Sequence, residues 1–173
     1  MGLSLKAVSM DYHYDEDVDD YVGEKGSISS DIGYIGYKFF RDDLVSFATN
    51  NKINSIDDYY YGKELTLCWY DENTFEVAME ETDFEDKEYI SRLERMKKEY
   101  PKLYDIFPFI THCDCEGIMP YTQVEKVLPI LEEFNQQKNK KYGYSAHDYD
   151  FAEDLVEIMK EVISMKGKLY FYW

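Results

Sequence analysis

The sequence predicts an α+β fold, a single domain in which a small, mostly antiparallel sheet packs with about four helices. Three observations carry that expectation. Apolar residues alternate at strand period near both ends of the chain. Two further alternating runs flank a turn-like DENT in the middle, and the segments between them repeat at helical spacing. No internal repeat and no composition break divides the 173 residues, so one domain over 1–173 is expected.

In chain order, Leu3, Leu5 and Ala7, then Met10, Tyr12 and Tyr14, alternate with a phase slip at Val8, which predicts a strand with a bulge. Residues 11–31, which include GEKGSISSD, are expected to form an acidic, flexible loop, because Gly23, Gly26 and three serines punctuate them. Tyr37, Phe40, Leu44, Phe47 and Ala48 share one helical face, giving a helix over about 34 to 50 with Gly33 and Gly36 in a flexible first turn. Leu65, Leu67 and Trp69, and Phe75, Val77 and Met79, form the expected hairpin. Thr82 and Glu85 have capping-box spacing ahead of a helix through Ile90, Leu93, Met96 and Tyr100, which Pro101 breaks or restarts. LYDIFPFI then leads into THCDCEGIMP. A second capping box, Thr122 with Glu125, opens a helix whose apolar face is Val124, Val127, Leu128, Leu131 and Phe134, with Pro129 inside it. The last helix starts near Ser145 and runs through Val162 to a cap at Gly167, and KLYFYW closes the chain as a strand.

Composition narrows the functional classes. With 45% hydrophobic residues the chain is too apolar for intrinsic disorder. Its net charge of −17 argues against direct binding to a phosphate backbone. Two blocks concentrate the acids: six between Asp11 and Asp20, and six between Glu80 and Glu88. Such blocks are solvated faces or, more sharply, a surface that imitates nucleic acid toward a basic partner. No apolar run reaches the ~18 residues of a membrane span, and Met1 to Met10 lacks a leader pattern. Cys68, Cys113 and Cys115 show no framework spacing, so reduced thiols and a cytoplasmic location are expected.

The stretch THCDCEGIMP, residues 111–120, holds the densest chemistry. Zinc at His112, Cys113 and Cys115 meets a geometric objection, since near-adjacent side chains cannot converge on one tetrahedral centre without Cys68 or His147. Calcium at Asp114 and Glu116 fails the EF-hand register, which puts His112 first and Gln123 twelfth. A cysteine nucleophile needs a base, His112 or His147, and no oxyanion pattern accompanies it. The plainest reading is a turn in which Asp114 bonds its own backbone, Gly117 takes a positive φ and the cysteines face inward. No catalytic residue, metal or cofactor is assigned.

Three patterns in the chain are Gly36-Tyr37-Lys38-Phe39-Phe40-Arg41, His112-Cys113-Asp114-Cys115-Glu116-Gly117 and Gly167-Lys168-Leu169-Tyr170-Phe171. From about residue 30 onward they resemble a family of small, uncharacterised proteins of bacteria and their viruses, with G-[FY]-x-x-[FW]-R, H-S-D-C-[DE]-G and G-x-x-L-x-F motifs. Cys113 replaces the family's serine, and the last glycine-to-leucine spacing is one residue shorter. The resemblance implies an architecture and a candidate site, since no activity is established for the family.

Three function classes follow. The first is a small-molecule binder whose pocket draws on Tyr34, Tyr37, Arg41, His112, Asp114, Glu116 and His147 and holds a nucleotide-like metabolite, sequestering it as some viral proteins do against host defence. Arg41 beside aromatics suits a phosphate with an attached ring, or else it pairs with Asp42 or Asp43. Because the whole chain is acidic, such a pocket must be locally positive. The second class is an acidic interaction protein or nucleic-acid mimic that occupies a basic protein partner. The third is a hydrolase using His112 with Asp114 or Glu116, although no G-x-S-x-G, Walker A, H-E-x-x-H or Rossmann pattern is present. An oligomer is compatible with all three.

Overall fold

A computed structural model describes residues 2–55, 68–70, 77–79, 87–111, 117–141 and 146–172. It is an α+β fold. A four-stranded sheet has the order β4-β1-β8-β7, with every neighbouring pair antiparallel. Its members are β1 (Gly2–Val8), β4 (Lys25–Gly33), β7 (Gly117–Pro120) and β8 (Lys168–Tyr172). Two small hairpins accompany it: β2 (His13–Asp15) with β3 (Asp20–Val22), and β5 (Cys68–Tyr70) with β6 (Val77–Met79).

The alternation of β1 sends Leu3, Leu5 and Ala7 into the core, all at 0% exposure. The slip at Val8 is real: the register with β4 runs from Gly2↔Gly33 to Lys6↔Ser29 and then jumps to Val8↔Lys25. Val8 and Tyr12 are consequently buried away from the main apolar cluster, on the far side of the sheet. Residues 11–31 are not the expected loop. The Gly- and Ser-rich composition misled, because pairing with β1 satisfies the backbone of β4 while Ile28, Ser30 and Ile32 turn inward. The acidic block becomes the β2–β3 hairpin.

Five helices are present among the described residues: α1 (Tyr34–Ala48), α2 (Lys87–Glu99), α3 (Pro101–Ile110), α4 (Tyr121–Lys141) and α5 (Ala146–Ser164). The extra helix over the expected four arises because Pro101 starts a new one, occupying a first-turn position where its missing N–H costs nothing. Gly33 is the extended N-cap of α1 at φ −68, and Gly36 lies within the first helical turn, so no flexible glycine turn precedes Arg41. Thr122 is not a cap: α4 starts at Tyr121, whose N–H donates to the Gly167 carbonyl at 3.0 Å. Leu65, Leu67, Phe75, the DENT turn, the Thr82/Glu85 box, Glu80 to Asp86 of the second acidic block and Ser145 lie outside the described residues.

The core joins the helices to the inner face of the sheet. Phe40 of α1 meets Phe109 of α3, Phe134 of α4 and Phe151 of α5 edge to face, with centroids 6.4, 6.0 and 5.2 Å away. Phe109 in turn contacts Phe171 of β8. Two acids of α5 fasten it to β4. Asp154 accepts from Ser30 Oγ at 2.9 Å, and the Glu161 carboxylate accepts from Ser27 Oγ and from the N–H groups of Ser27 and Ile28. α5 ends in a Schellman arrangement, with Gly167 N–H on Val162 O and Lys166 N–H on Ile163 O. The left-handed residue is Lys166, φ 49, rather than Gly167.

Candidate functional site

Of the residues singled out in the sequence, Tyr34, Tyr37 and Arg41 are placed together on α1. His112, Asp114 and Glu116, with Cys113 and Cys115, lie outside the described residues; His147 lies in the first turn of α5, and its side chain is likewise outside them. The Arg41 guanidinium stands 4.5 Å over the Tyr37 ring, and its Nη1 donates to Ile110 O at 3.2 Å. That carbonyl belongs to the last turn of α3, where helix carbonyls lack intrahelical partners, so Arg41 caps the helix. The contact places Arg41 at the C-terminal end of α3, and residues 112–116 beyond it lie outside the described residues. Two expectations change. Tyr37 is fully buried, one face under Arg41 and its ring in a T-shaped contact with Phe151, so its ring is core and not a stacking surface for a ligand. Arg41 is not paired with Asp42, which instead binds Lys38 at 2.6 Å.

Among the described residues, charge and rings gather on the outer face of the sheet, opposite the helices. Because partners across antiparallel strands share a face, the register defines three rows over β4, β1 and β8. They are Asp31, Ser4 and Tyr172; Ser29, Lys6 and Tyr170; and Lys25, Val8 and Lys168. The β2–β3 hairpin rises from the third row and lays Tyr12 and Tyr21 over the middle. Tyr12 and Tyr21 stack at 5.3 Å and 9°, as do Tyr170 and Tyr172 at 5.4 Å and 9°. Tyr12 meets Tyr170 edge-on at 5.5 Å, and Tyr14 meets Tyr21 likewise.

Lysines fill the gaps between the rings. Lys6 Nζ lies 4.5 Å from the Tyr172 centroid, 5.3 Å from Tyr12 and 5.6 Å from Tyr170, and donates to Tyr12 Oη at 3.3 Å. Lys25 Nζ is 5.7 Å from the Tyr12 centroid. Lys168, only 6% exposed, reaches the Tyr12 carbonyl at 3.4 Å. None of the three is ion-paired with a carboxylate among the described residues. Burial, and then the like charge of Lys25, hold the Lys6 pKa below its ordinary value. Burial also raises the phenols of Tyr12 and Tyr172, the latter with help from nearby Asp31.

Sequence reasoning passed over this face. The alternation of β1 and KLYFYW assigns Lys6, Lys168, Tyr170 and Tyr172 to non-core positions, which is a usable signal. Their convergence depends on pairing residue 4 with residue 172, which local pattern does not encode. Among the described residues, no group of three His, Cys, Asp or Glu is placed to hold a metal ion, and no helix is long and apolar enough to cross a membrane.

No family model, curated protein or solved structure gives a significant match to the chain.

Proposed function

We propose that this protein binds a small nucleotide-like ligand, an aromatic ring joined to an anionic group, on the outer face of its sheet. One observation carries the reading: Lys6, Lys25 and Lys168 converge on Tyr12 without an ion-paired carboxylate among the described residues, in a chain of net charge −17. Acids outnumber bases 36 to 19, so partners for three lysines are plentiful. Keeping like charges close and part-buried costs stability, and such a cost is typical of a binding surface. The ammonium groups supply the counter-charge for a phosphate, and the tyrosines supply a ring surface. Three ammonium groups gathered on one face supply the positive charge that an anionic ligand on an acidic protein requires. The role we read for such a binder is sequestration of its ligand.

Isothermal titration with AMP, GMP, UMP and inorganic phosphate tests it. At least one nucleotide is expected to bind more tightly than phosphate alone, and Lys6→Met, which keeps the aliphatic stem between the rings, should weaken it on the order of tenfold, about 1.4 kcal/mol. Equal heats for the wild type and Lys6→Met, or no binding at all, reject the reading.

A second reading, an acidic surface that engages a basic protein, draws on the β2–β3 hairpin, where Asp17, Asp19 and Asp20 are exposed around an ordered turn. Its mark is a complex with a basic partner that dissociates steeply with salt and survives Lys6→Met.

A further inference from the structure

The same face limits the size of its ligand, an inference that rests on the binding reading above. We propose that it accepts a single nucleotide unit, one ring bearing one or two phosphates, and excludes single-stranded polynucleotides. Charge is laid out on this face as on a grid. Rows on one face of a sheet are about 7 Å apart along the strands, and neighbouring strands about 5 Å apart. The lysines occupy only the middle row, through Lys6, and the hairpin-side row, through Lys25 and Lys168. The next row outward carries Asp31, hydrogen-bonded by Ser4 Oγ and close enough to Tyr172 to raise its phenol. On the opposite side Asp11 lies near Lys168, and the hairpin that folds over the face exposes Glu16, Asp17, Asp19 and Asp20. The positive strip is therefore about two rows long and closed by carboxylates at both ends.

A second or third backbone phosphate following the strands in either direction meets acids, and each adds a full negative charge. The rings impose the same limit. Polynucleotide platforms offer successive free ring faces to successive bases. Here Tyr12 is stacked on Tyr21 and Tyr170 on Tyr172, so each pair takes up one face of each ring within the chain and leaves fewer faces than a run of successive bases needs.

The experiment compares AMP and ADP with penta-adenylate RNA by isothermal titration at several salt concentrations, with the guanine and uracil series alongside. The expected result is that the mononucleotides bind, that the pentamer binds no more tightly than the monophosphate of its base, and that log K falls with log salt no more steeply than about −2, since at most three lysines contribute at roughly 0.7 each. A pentamer at least tenfold tighter than its monophosphate, or a steeper slope, overturns the size limit and leaves the binding reading standing. Failure of every nucleotide to bind overturns both. As a second variant, Asp31→Lys opens the blocked end: the pentamer should gain at least fivefold more in affinity than AMP does, with circular dichroism confirming the fold. An unchanged pentamer affinity in that variant also counts against the inference.

Discussion

Gly167 shows how a single position can be legible in place and not in cause. Its location just past α5 marks it as a helix stop, yet Lys166 takes the left-handed turn. Glycine is required because a Cβ there would lie 2.0 Å from the Val8 carbonyl oxygen, where the helix end passes over β1. Gly167→Ala must push backbone against backbone, and a loss of about 1 to 3 kcal/mol is expected in urea unfolding. Phe40 offers the opposite case, a residue whose helical spacing announces a core position. Its three edge-to-face partners come from three other helices, so Phe40→Ala should cost about 3 to 5 kcal/mol, read from the same unfolding curves. Retention of near-wild-type stability would mean that the aromatic centre repacks around the void.

Among the elements, β4 is the one that composition conceals. A run of Ser and Gly has weak strand preference, and what makes it a strand is external: β1 supplies the ladder on one side, and α5 reaches across with Glu161. Part burial pushes that carboxyl upward in pKa, but hydrogen bonds from Ser27 Oγ and from the N–H groups of Ser27 and Ile28 outweigh it and hold it below the ordinary glutamate value. A depressed value means that the contribution to stability is complete above the unfolded-state pKa and is lost as pH falls through the folded one. Glu161→Gln should therefore be less stable than the wild type at pH 7, by roughly 1 kcal/mol for exchanging charged for neutral hydrogen bonds. The gap should narrow in the acid limb below pH ~4. A gap independent of pH would assign the effect to packing. By contrast, β1, α1, α5 and β8 were readable from periodicity alone, because each buries a face that its own residues define. The Thr122 cap was misread for the same reason as β4: a carbonyl from a distant strand replaces the local device.

For the whole molecule, α+β architecture followed from the alternation of element types, while the proposed binding face did not, since it exists only once β1 and β8 are side by side. The candidate Arg41 site was half legible. Arg41 reaches the end of α3 at Ile110, where the chemistry of the guanidinium is spent on a helix end, and His112, Asp114 and Glu116 lie outside the described residues. A net charge of −17 also acts on the molecule as a whole through self-repulsion. Adding NaCl from about 10 mM to about 150 mM, which shortens the screening length from ~30 to ~8 Å, should raise the thermal midpoint, whereas affinity for an anionic ligand on the lysines should fall. Opposite salt trends for folding and binding are the signature to measure by calorimetry, and parallel trends would contradict the separation of the two charge populations.

The pairing of Ser4 with Tyr172 has a kinetic corollary. Two strands separated by most of the polypeptide must find each other before the sheet closes, and closing so large a loop is slow relative to forming the helices. Helical signal should thus recover early in refolding and tyrosine–lysine contacts late, so that closure of the β1–β8 face marks the final step by which the chain becomes native.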